Sequence, residues 1–333
     1  VAYNCKVPRD VVEALQSGQT FLLAAHIGLD GDHLGSMLAL GRALRKAGKR
    51  VCCYLPETVP DNYHFMPDLD LLDAAIADLK FDTLVTLECP DVQRLPNGIS
   101  IPEFQKAGVK VINLDHHPDN ERYGDILWIE PDAGALGEMI FDILQAMGCP
   151  LDKEIATAIY TAILTDTGSF QYSRVTPHTH SKLAELLRFG LATDDISRVL
   201  FRDTRASVVK LLGKVLSRVQ ITPDGLLAYA ELPLAELEEA GVSDGETRFF
   251  IDDIDRIKGP EAVAIFREMA GQKVKISLRS RKIAINHVAA QFGGGGHPMA
   301  AGCVVSGSLE SVRERVVDAL TASLASSLCP PKS

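Results

Sequence analysis

Four clusters of carboxylates and imidazoles lie in the first half of the chain, each where an apolar run ends. They are His26-Ile-Gly-Leu-Asp30-Gly-Asp32, then Glu88, then Asp115-His116-His117, then Asp166. Asp30 and Asp32 are two residues apart behind a strand-like run that ends at His26, so both carboxylates can face one cavity with an imidazole beside them. Two adjacent histidines at a strand end project to opposite sides of the extended chain. One of them can then ligate a metal while the other reaches toward substrate, and Asp115 can orient an imidazole from behind. Asp166 closes the apolar stretch Ile155-Ala-Thr-Ala-Ile-Tyr-Thr-Ala-Ile-Leu164 and precedes Thr167-Gly168. An acid at a helix C-terminus opposes the macrodipole, which favours a use other than capping. Glu88 ends Leu84-Val-Thr-Leu87 and suits a bridging ligand, with Asp91 as its alternate. Taken singly, Asp-Gly-Asp and Asp-His-His-Pro also read as solvated turns.

The elements that must carry these groups are legible from periodicity. Strands are expected at Thr20–Ile27, Val51–Leu55, Asp82–Glu88, Lys110–Asp115 and Ile126–Ile129, and helices at Gly35–Lys46 and Asp68–Leu79. Gly35-Ser36 would then open a helix whose free N–H groups can face an anion. Alternating strands and helices predict an α/β domain, a parallel sheet with helices on both faces. Such a sheet delivers ligands from the carboxyl ends of its strands, where all four clusters fall. About five oxygen and nitrogen donors without thiolates suit two divalent cations, Mn²⁺ ahead of Mg²⁺, rather than structural zinc. Two cations sharing an acid would activate water and clamp both oxygens of an in-line phosphoryl displacement.

From Ala135 the pattern turns helical: Ala135–Met147, Lys153–Leu164, His178–Arg188 and a long stretch from Asp195 to about Lys214. Near Leu216 it changes again. A hairpin around Pro223-Asp224-Gly225, strands Glu261–Met269, Lys273–Arg279 and Gly302–Val305, a helix start at Ile285–Gln291 and a closing helix Ser308–Ala325 describe a smaller α+β domain. The tail from Ser326 is expected to fray. The expected division is 1–195 for the metal-binding domain, 196–215 for a helical connector and 216–333 for a substrate domain. In the last, Phe292 is followed by Gly293, Gly294, Gly295, Gly296 and His297, whose backbone N–H groups can approach an anion. Arg279-Ser280-Arg281 adds a guanidinium fork suited to phosphate.

Composition bounds the chemistry. The 333 residues are 46% hydrophobic and 23% charged, enough for two cores. A net charge of −10 argues against gripping long nucleic acid through many phosphates, so a nucleotide ligand should be short. Seven scattered cysteines with no C-x-x-C pair indicate neither a disulfide framework nor a zinc ribbon and fit a cytoplasmic setting. Apolar runs are broken by charges well before the ~18 residues of a membrane span.

The ordered set H-x-x-x-D-x-D, a strand-end acid, D-H-H, T-D-T-G and a distal L-R-S with G-G-G-G-H resembles the DHH/DHHA1 phosphoesterase superfamily, from about Phe21 to Gly302. Length and the compact second domain look most like its NrnA-type nanoRNase and pAp-phosphatase branch. The resemblance implies that His26 and Asp30 hold one metal, that Asp32, His116 and Asp166 hold the other, and that Glu88 bridges them. It makes His117 the contact to the scissile phosphate, with Asp115 behind it. Arg279, Ser280 and Gly293–His297 would hold the substrate's terminal nucleotide. The implied activity is hydrolysis of very short oligoribonucleotides to 5′-mononucleotides and of 3′-phosphoadenosine 5′-phosphate (pAp) to AMP. Short single-stranded DNA as substrate and a homodimer stay open. The alternatives are a RecJ-like single-strand exonuclease, a cyclic-dinucleotide phosphodiesterase, a family II pyrophosphatase and a nucleotide-binding module with impaired catalysis. Leu29 and His33 depart from the family pattern, as does Glu88, where the family has aspartate.

Overall fold

The computed structural model describes residues 6–76 and 80–328. It divides into two compact units between Asp203 and Thr204. In the first unit α1 (Arg9–Ser17) precedes β1 (Thr20–Ala25), α2 (Gly31–Lys46), β2 (Arg50–Tyr54) and the short β3 (Leu72–Asp73). Then come β4 (Thr83–Leu87), α3 (Ile101–Lys106), β5 (Lys110–Asp115) and β6 (Ile126–Ile129). Four helices close the unit: α4 (Leu136–Ala146), α5 (Lys153–Asp166), α6 (Pro177–Leu187) and α7 (Thr193–Phe201).

The six strands lie in the order β3-β2-β1-β4-β5-β6, every pair parallel. Helices flank both faces, as the alternation of strands and helices predicts. Alternate residues of β1 show why its sequence is apolar throughout. Phe21, Leu23 and Ala25 face the core built with α2, α4 and α5, and Leu22 and Ala24 face the layer holding Ile101 of α3 and Leu95. The winding reverses between β1 and β4, and the carboxyl ends of those neighbours form the crevice where ligands of open α/β sheets bind.

Two expectations for this unit are corrected. The helix expected over Asp68–Leu79 is, where described, a 3-10 turn at Leu69–Leu71 followed by the edge strand β3; residues 77–79 lie outside the described residues. Pairing of Leu72–Asp73 with Cys53–Tyr54 and a two-pronged grip of Arg42 on Asp68 at 2.8 and 2.9 Å overrode a helix-like spacing. Helix α2 starts at Gly31, not Gly35, capped by the Asp30 carboxylate accepting from His33 N at 3.0 Å. Gly35 and Ser36 are therefore inside the helix and offer no N-terminal anion site.

The second unit contains α8 (Ala206–Leu216), β7 (Gln220–Ile221), β8 (Leu227–Leu232), α9 (Leu234–Ala240), α10 (Phe250–Asp255), β9 (Ala262–Met269) and β10 (Lys273–Ser280). It ends with α11 (Asn286–Gln291), β11 (Gly295–His297), β12 (Ala300–Ser306) and α12 (Leu309–Leu328). Its mixed sheet has the order β11-β12-β10-β9-β8-β7. One face packs on α11 and α12, the other on α8 and α10. The stretch expected as one long helix from Asp195 is two helices broken at 202–205. Ile196 and Leu200 of α7 join the first core; Val208, Leu211 and Val215 of α8 join the second. The expected frayed tail is helical through Leu328, and residues 329–333 lie outside the described residues.

Among the described residues no helix is long and apolar enough to cross a membrane. No disulfide joins Cys52, Cys53, Cys89, Cys149 and Cys303; Cys5 and Cys329 lie outside the described residues.

Candidate active site

The crevice between β1 and β4 gathers the acids and imidazoles in two groups. Ligand atoms of Asp32, Glu88, His116 and Asp166 lie within 4.8 Å of one another, and so do those of His26, Asp30 and His33. Seven residues from four stretches of sequence thus meet at one sheet edge.

In the first group the chain turns directly after β1. His26 is buried, with Nδ1 2.9 Å from Ile27 O and Nε2 3.5 Å from Asp30 Oδ2. A carbonyl only accepts, so this contact places the proton on Nδ1 and the lone pair on Nε2. A guanidinium nitrogen of Arg94 also lies 3.0 Å from Nδ1, which favours the opposite tautomer; ligation of a cation through Nε2 would select the first. Asp30 divides its work, one oxygen capping α2 and the other facing His26.

The second group is more deeply buried. Asp32 Oδ1 accepts from Ser36 Oγ at 3.0 Å and Gly137 N at 2.9 Å, and Oδ2 accepts from Leu136 N. The N-terminus of α4 thereby holds this carboxylate in place. His116 turns Nδ1 to Ala133 O at 3.2 Å. Its Nε2 lies 3.5 Å from Glu88 Oε1, 3.5 Å from Asp166 Oδ2 and 3.8 Å from Asp32 Oδ2.

Glu88 follows β4 with φ of +53°, a left-handed conformation that costs a non-glycine residue roughly 1 kcal/mol or more. Its N–H still donates to Leu114 O at 3.0 Å, so the sheet pairing continues while the chain turns. Asp91, the alternate acid, instead caps the turn at Val92–Arg94 by accepting from Gln93 N at 2.7 Å.

The electrostatics of this group favour a cation. Burial, then the charge of Asp166, pushes Asp32 up to about 7. Burial and the charges of Asp30, Asp32 and Asp166 push Glu88 well above the usual carboxylate range. Glu88 Oε2 and Asp166 Oδ2 are buried and meet no hydrogen-bond donor among the described residues. Buried carboxylate oxygens without donors are costly, and a divalent ion satisfies them while relieving the mutual repulsion. All-oxygen-and-imidazole donors fit such an ion.

His117 Nδ1 lies 2.7 Å from Asp115 Oδ1. The same oxygen accepts from the backbone of His116 at 2.7 Å and of His117 at 3.1 Å, and Oδ2 accepts from Asn120 Nδ2 at 2.6 Å. Burial raises the Asp115 pKa, but the hydrogen bond and charge of His117, with the bond from Asn120, outweigh it and hold the carboxyl below its usual range. Asp115 is thus held as an anion against His117 Nδ1.

In the second unit Arg279 and Ser280 end β10. Arg279 pairs in register with Ala300 of β12, which pairs with His297 of β11, so Arg279 and His297 share one side of the sheet two strands apart. Arg279 Nε lies 3.6 Å from Asp252. The glycine run is not a free loop: Gly295–His297 forms an edge strand. A Cβ at Gly294 would meet Gly302 O at 2.1 Å, so glycine is needed for the close approach of β11 to β12.

Sequence reasoning gave no role to His33, Arg94, Asn120 or Arg174. Arg174 lies 3.9 Å from Asp166. For His33 the signal was present, an imidazole three residues after Asp30 where a small side chain is common.

Family models match both units: the DHH family, N-terminal domain, over residues 20–163 and the DHHA1 domain over residues 225–326. The chain belongs to the DHH/DHHA1 family of phosphoesterases. It is 34% identical to the bifunctional oligoribonuclease and PAP phosphatase NrnA of Thermus thermophilus, over 94% of this chain and 93% of that protein. It is 26% identical to the protein of the same name in Bacillus subtilis, over 89% and 92%. The crystal structure of an exopolyphosphatase-related protein from Bacteroides fragilis superimposes with a TM-score of 0.82 at 27% identity, covering 95% of this chain and 94% of that one.

Proposed function

We propose that this enzyme hydrolyses very short oligoribonucleotides to 5′-mononucleotides and pAp to AMP in the cytoplasm, using two divalent cations with Mn²⁺ preferred over Mg²⁺. The observation that carries the reading is the cluster of Asp32, Glu88, His116 and Asp166 at the winding reversal, with two buried carboxylate oxygens that meet no donor among the described residues. The substrate class rests on similarity to the NrnA proteins.

His26 and Asp30 would hold one ion, Asp32, His116 and Asp166 the other, and Glu88 both. When bound, such ions neutralise charge on phosphoryl oxygens and make water a competent nucleophile. The rest falls to the chain's own groups. In both substrates the bond that breaks joins phosphorus to a nucleoside 3′ oxygen, so one leaving-group device serves both. His117 fits that role. Its Nδ1 is committed to Asp115, so only Nε2 can deliver a proton to the departing 3′ oxygen. Asp115, itself held by Asn120, stabilises the imidazolium from which that proton comes. Arg279, Ser280 and the Gly293, Gly294, Gly295, Gly296 and His297 run would hold the terminal nucleotide, the guanidinium on a phosphate.

The test is a panel of RNA dinucleotides, longer RNA, DNA, pAp, pyrophosphate and cyclic dinucleotides, with Mn²⁺ or Mg²⁺. Release of 5′-mononucleotides from dinucleotides and of AMP from pAp is expected, lost to background in Asp30→Ala with Asp166→Ala. Unchanged Mn²⁺-dependent activity in that double variant overturns the site. Rates that climb as the substrate lengthens overturn the short-substrate reading.

A further inference from the structure

We infer that His33 is an additional ligand of the ion assigned to His26 and Asp30, giving that site a second imidazole and a preference for Co²⁺ and later first-row ions over Mg²⁺. The inference rests on the two-cation reading above.

Three geometric facts carry it. The donor atoms of His26, Asp30 and His33 lie within 4.8 Å of one another. The rings of His26 and His33 meet edge to face, centroids 5.1 Å apart at 90°, a packing in which nitrogens at the ring edges can converge on a common point. The His33 backbone N–H is held by Asp30 Oδ1 at 3.0 Å, so the origin of the His33 side chain is fixed against the very carboxylate with which it would share the ion.

Burial adds weight. His33 is 0% exposed, in the first turn of α2, where histidine is a mediocre helix former and leucine would fill the space without enclosing two ring nitrogens. Donor chemistry then gives the direction of the effect. With one imidazole and carboxylates a site suits Mg²⁺ or Mn²⁺, and each further imidazole moves it toward Co²⁺, Ni²⁺ and Zn²⁺.

The experiment is calorimetric titration of the metal-stripped full-length protein with Co²⁺, Mn²⁺ and Mg²⁺, together with the visible spectrum of the Co²⁺ form. Wild type should bind two ions. His33→Leu, which keeps the volume and removes the donor, should weaken one of two Co²⁺ sites by about 10-fold or more, change the Co²⁺ absorption bands and leave Mg²⁺ affinity within about 3-fold. In His33→Ala, added imidazole should restore the wild-type spectrum. X-ray absorption of the wild-type Co²⁺ protein reads the same point without a substitution: His26, His33 and His116 give three imidazoles over two ions, against two if His33 is not a ligand. Two bound ions with two imidazoles, or an unchanged spectrum in His33→Leu, overturns the role of His33 alone. Failure of wild type to bind two ions overturns the two-cation reading, and this inference with it.

Discussion

Glu88 concentrates the energetics of the site. Its carboxyl is 2% exposed, sits on a left-handed residue and faces like charges from Asp30, Asp32 and Asp166. Without a cation, that charge works against folding. Glu88→Gln is therefore expected to raise the melting temperature of the chelator-treated protein while abolishing most of the stabilisation by Mn²⁺; a lower chelated melting temperature with Mn²⁺ stabilisation intact would refute this account. The same groups set a pH dependence whose sign follows from linkage. Asp32, raised to about 7, and Glu88, raised well above its usual value, hold protons in the folded state that the unfolded chain releases. Between about pH 4 and 7 their contribution makes the cation-free protein less stable as pH rises. A cation needs the ionised forms, so its stabilisation grows over that interval. Melting temperatures with Mn²⁺ and with chelator should diverge from pH 5 to 7.5; a constant gap would show that these acids are not the ligands.

At the scale of elements, the site depends on how closely α2 approaches α5. Asp30, Asp32 and His33 stand at the start of α2, Asp166 at the end of α5, so their spacing is set by that contact. A Cβ on Gly35 would meet Ala158 O of α5 at 2.4 Å, a backbone atom that cannot swing aside. At the other end of the pair Arg42 of α2 bonds Asp152 at 2.9 Å and Glu154 at 3.1 Å while also holding Asp68. Gly35→Ala should cost about 1–3 kcal/mol by overpacking, measured by urea denaturation, and should weaken Mn²⁺ binding although it touches no ligand. Wild-type stability and affinity in this variant would show that the helices tolerate separation. The α2 start also shows why periodicity misplaced the helix: its first turn carries Asp32 and His33, both buried, and a buried polar turn gives no hydrophobic signal.

For the whole molecule, charge selects among substrates. A net charge of −10 repels a polyanion more as it lengthens, whereas a dinucleotide presents few phosphates to that field. Turnover per molecule should fall as RNA grows beyond a few nucleotides, and long RNA should be a poor competitor at low salt. Strong inhibition by long RNA, relieved by salt, would reveal a cationic track and favour a processive exonuclease.

Much of this molecule is determined by local sequence. Lys110–Asp115 coincides with an interior strand buried after its first residue, and Ile126–Ile129 with the half-buried strand at the sheet edge, because parallel strands covered by helices read as continuous apolar runs. The acids and imidazoles at the strand ends were visible for the complementary reason, as polar groups interrupting such runs. What local sequence could not supply was distance. Only the packed structure brings His116 to Glu88, Asp32 and Asp166 at once, since those contacts join residues just after β4 and β5 to residues of α2 and α5 far apart in the chain. Tertiary packing likewise turned the Asp68 segment from helix to edge strand through pairing with β2. It also turned His33 from an apparent bystander into a neighbour of His26 and Asp30. Periodicity registers which face of an element is buried; the convergence of donors from several elements is a property of the sheet's winding and of the helices packed on it.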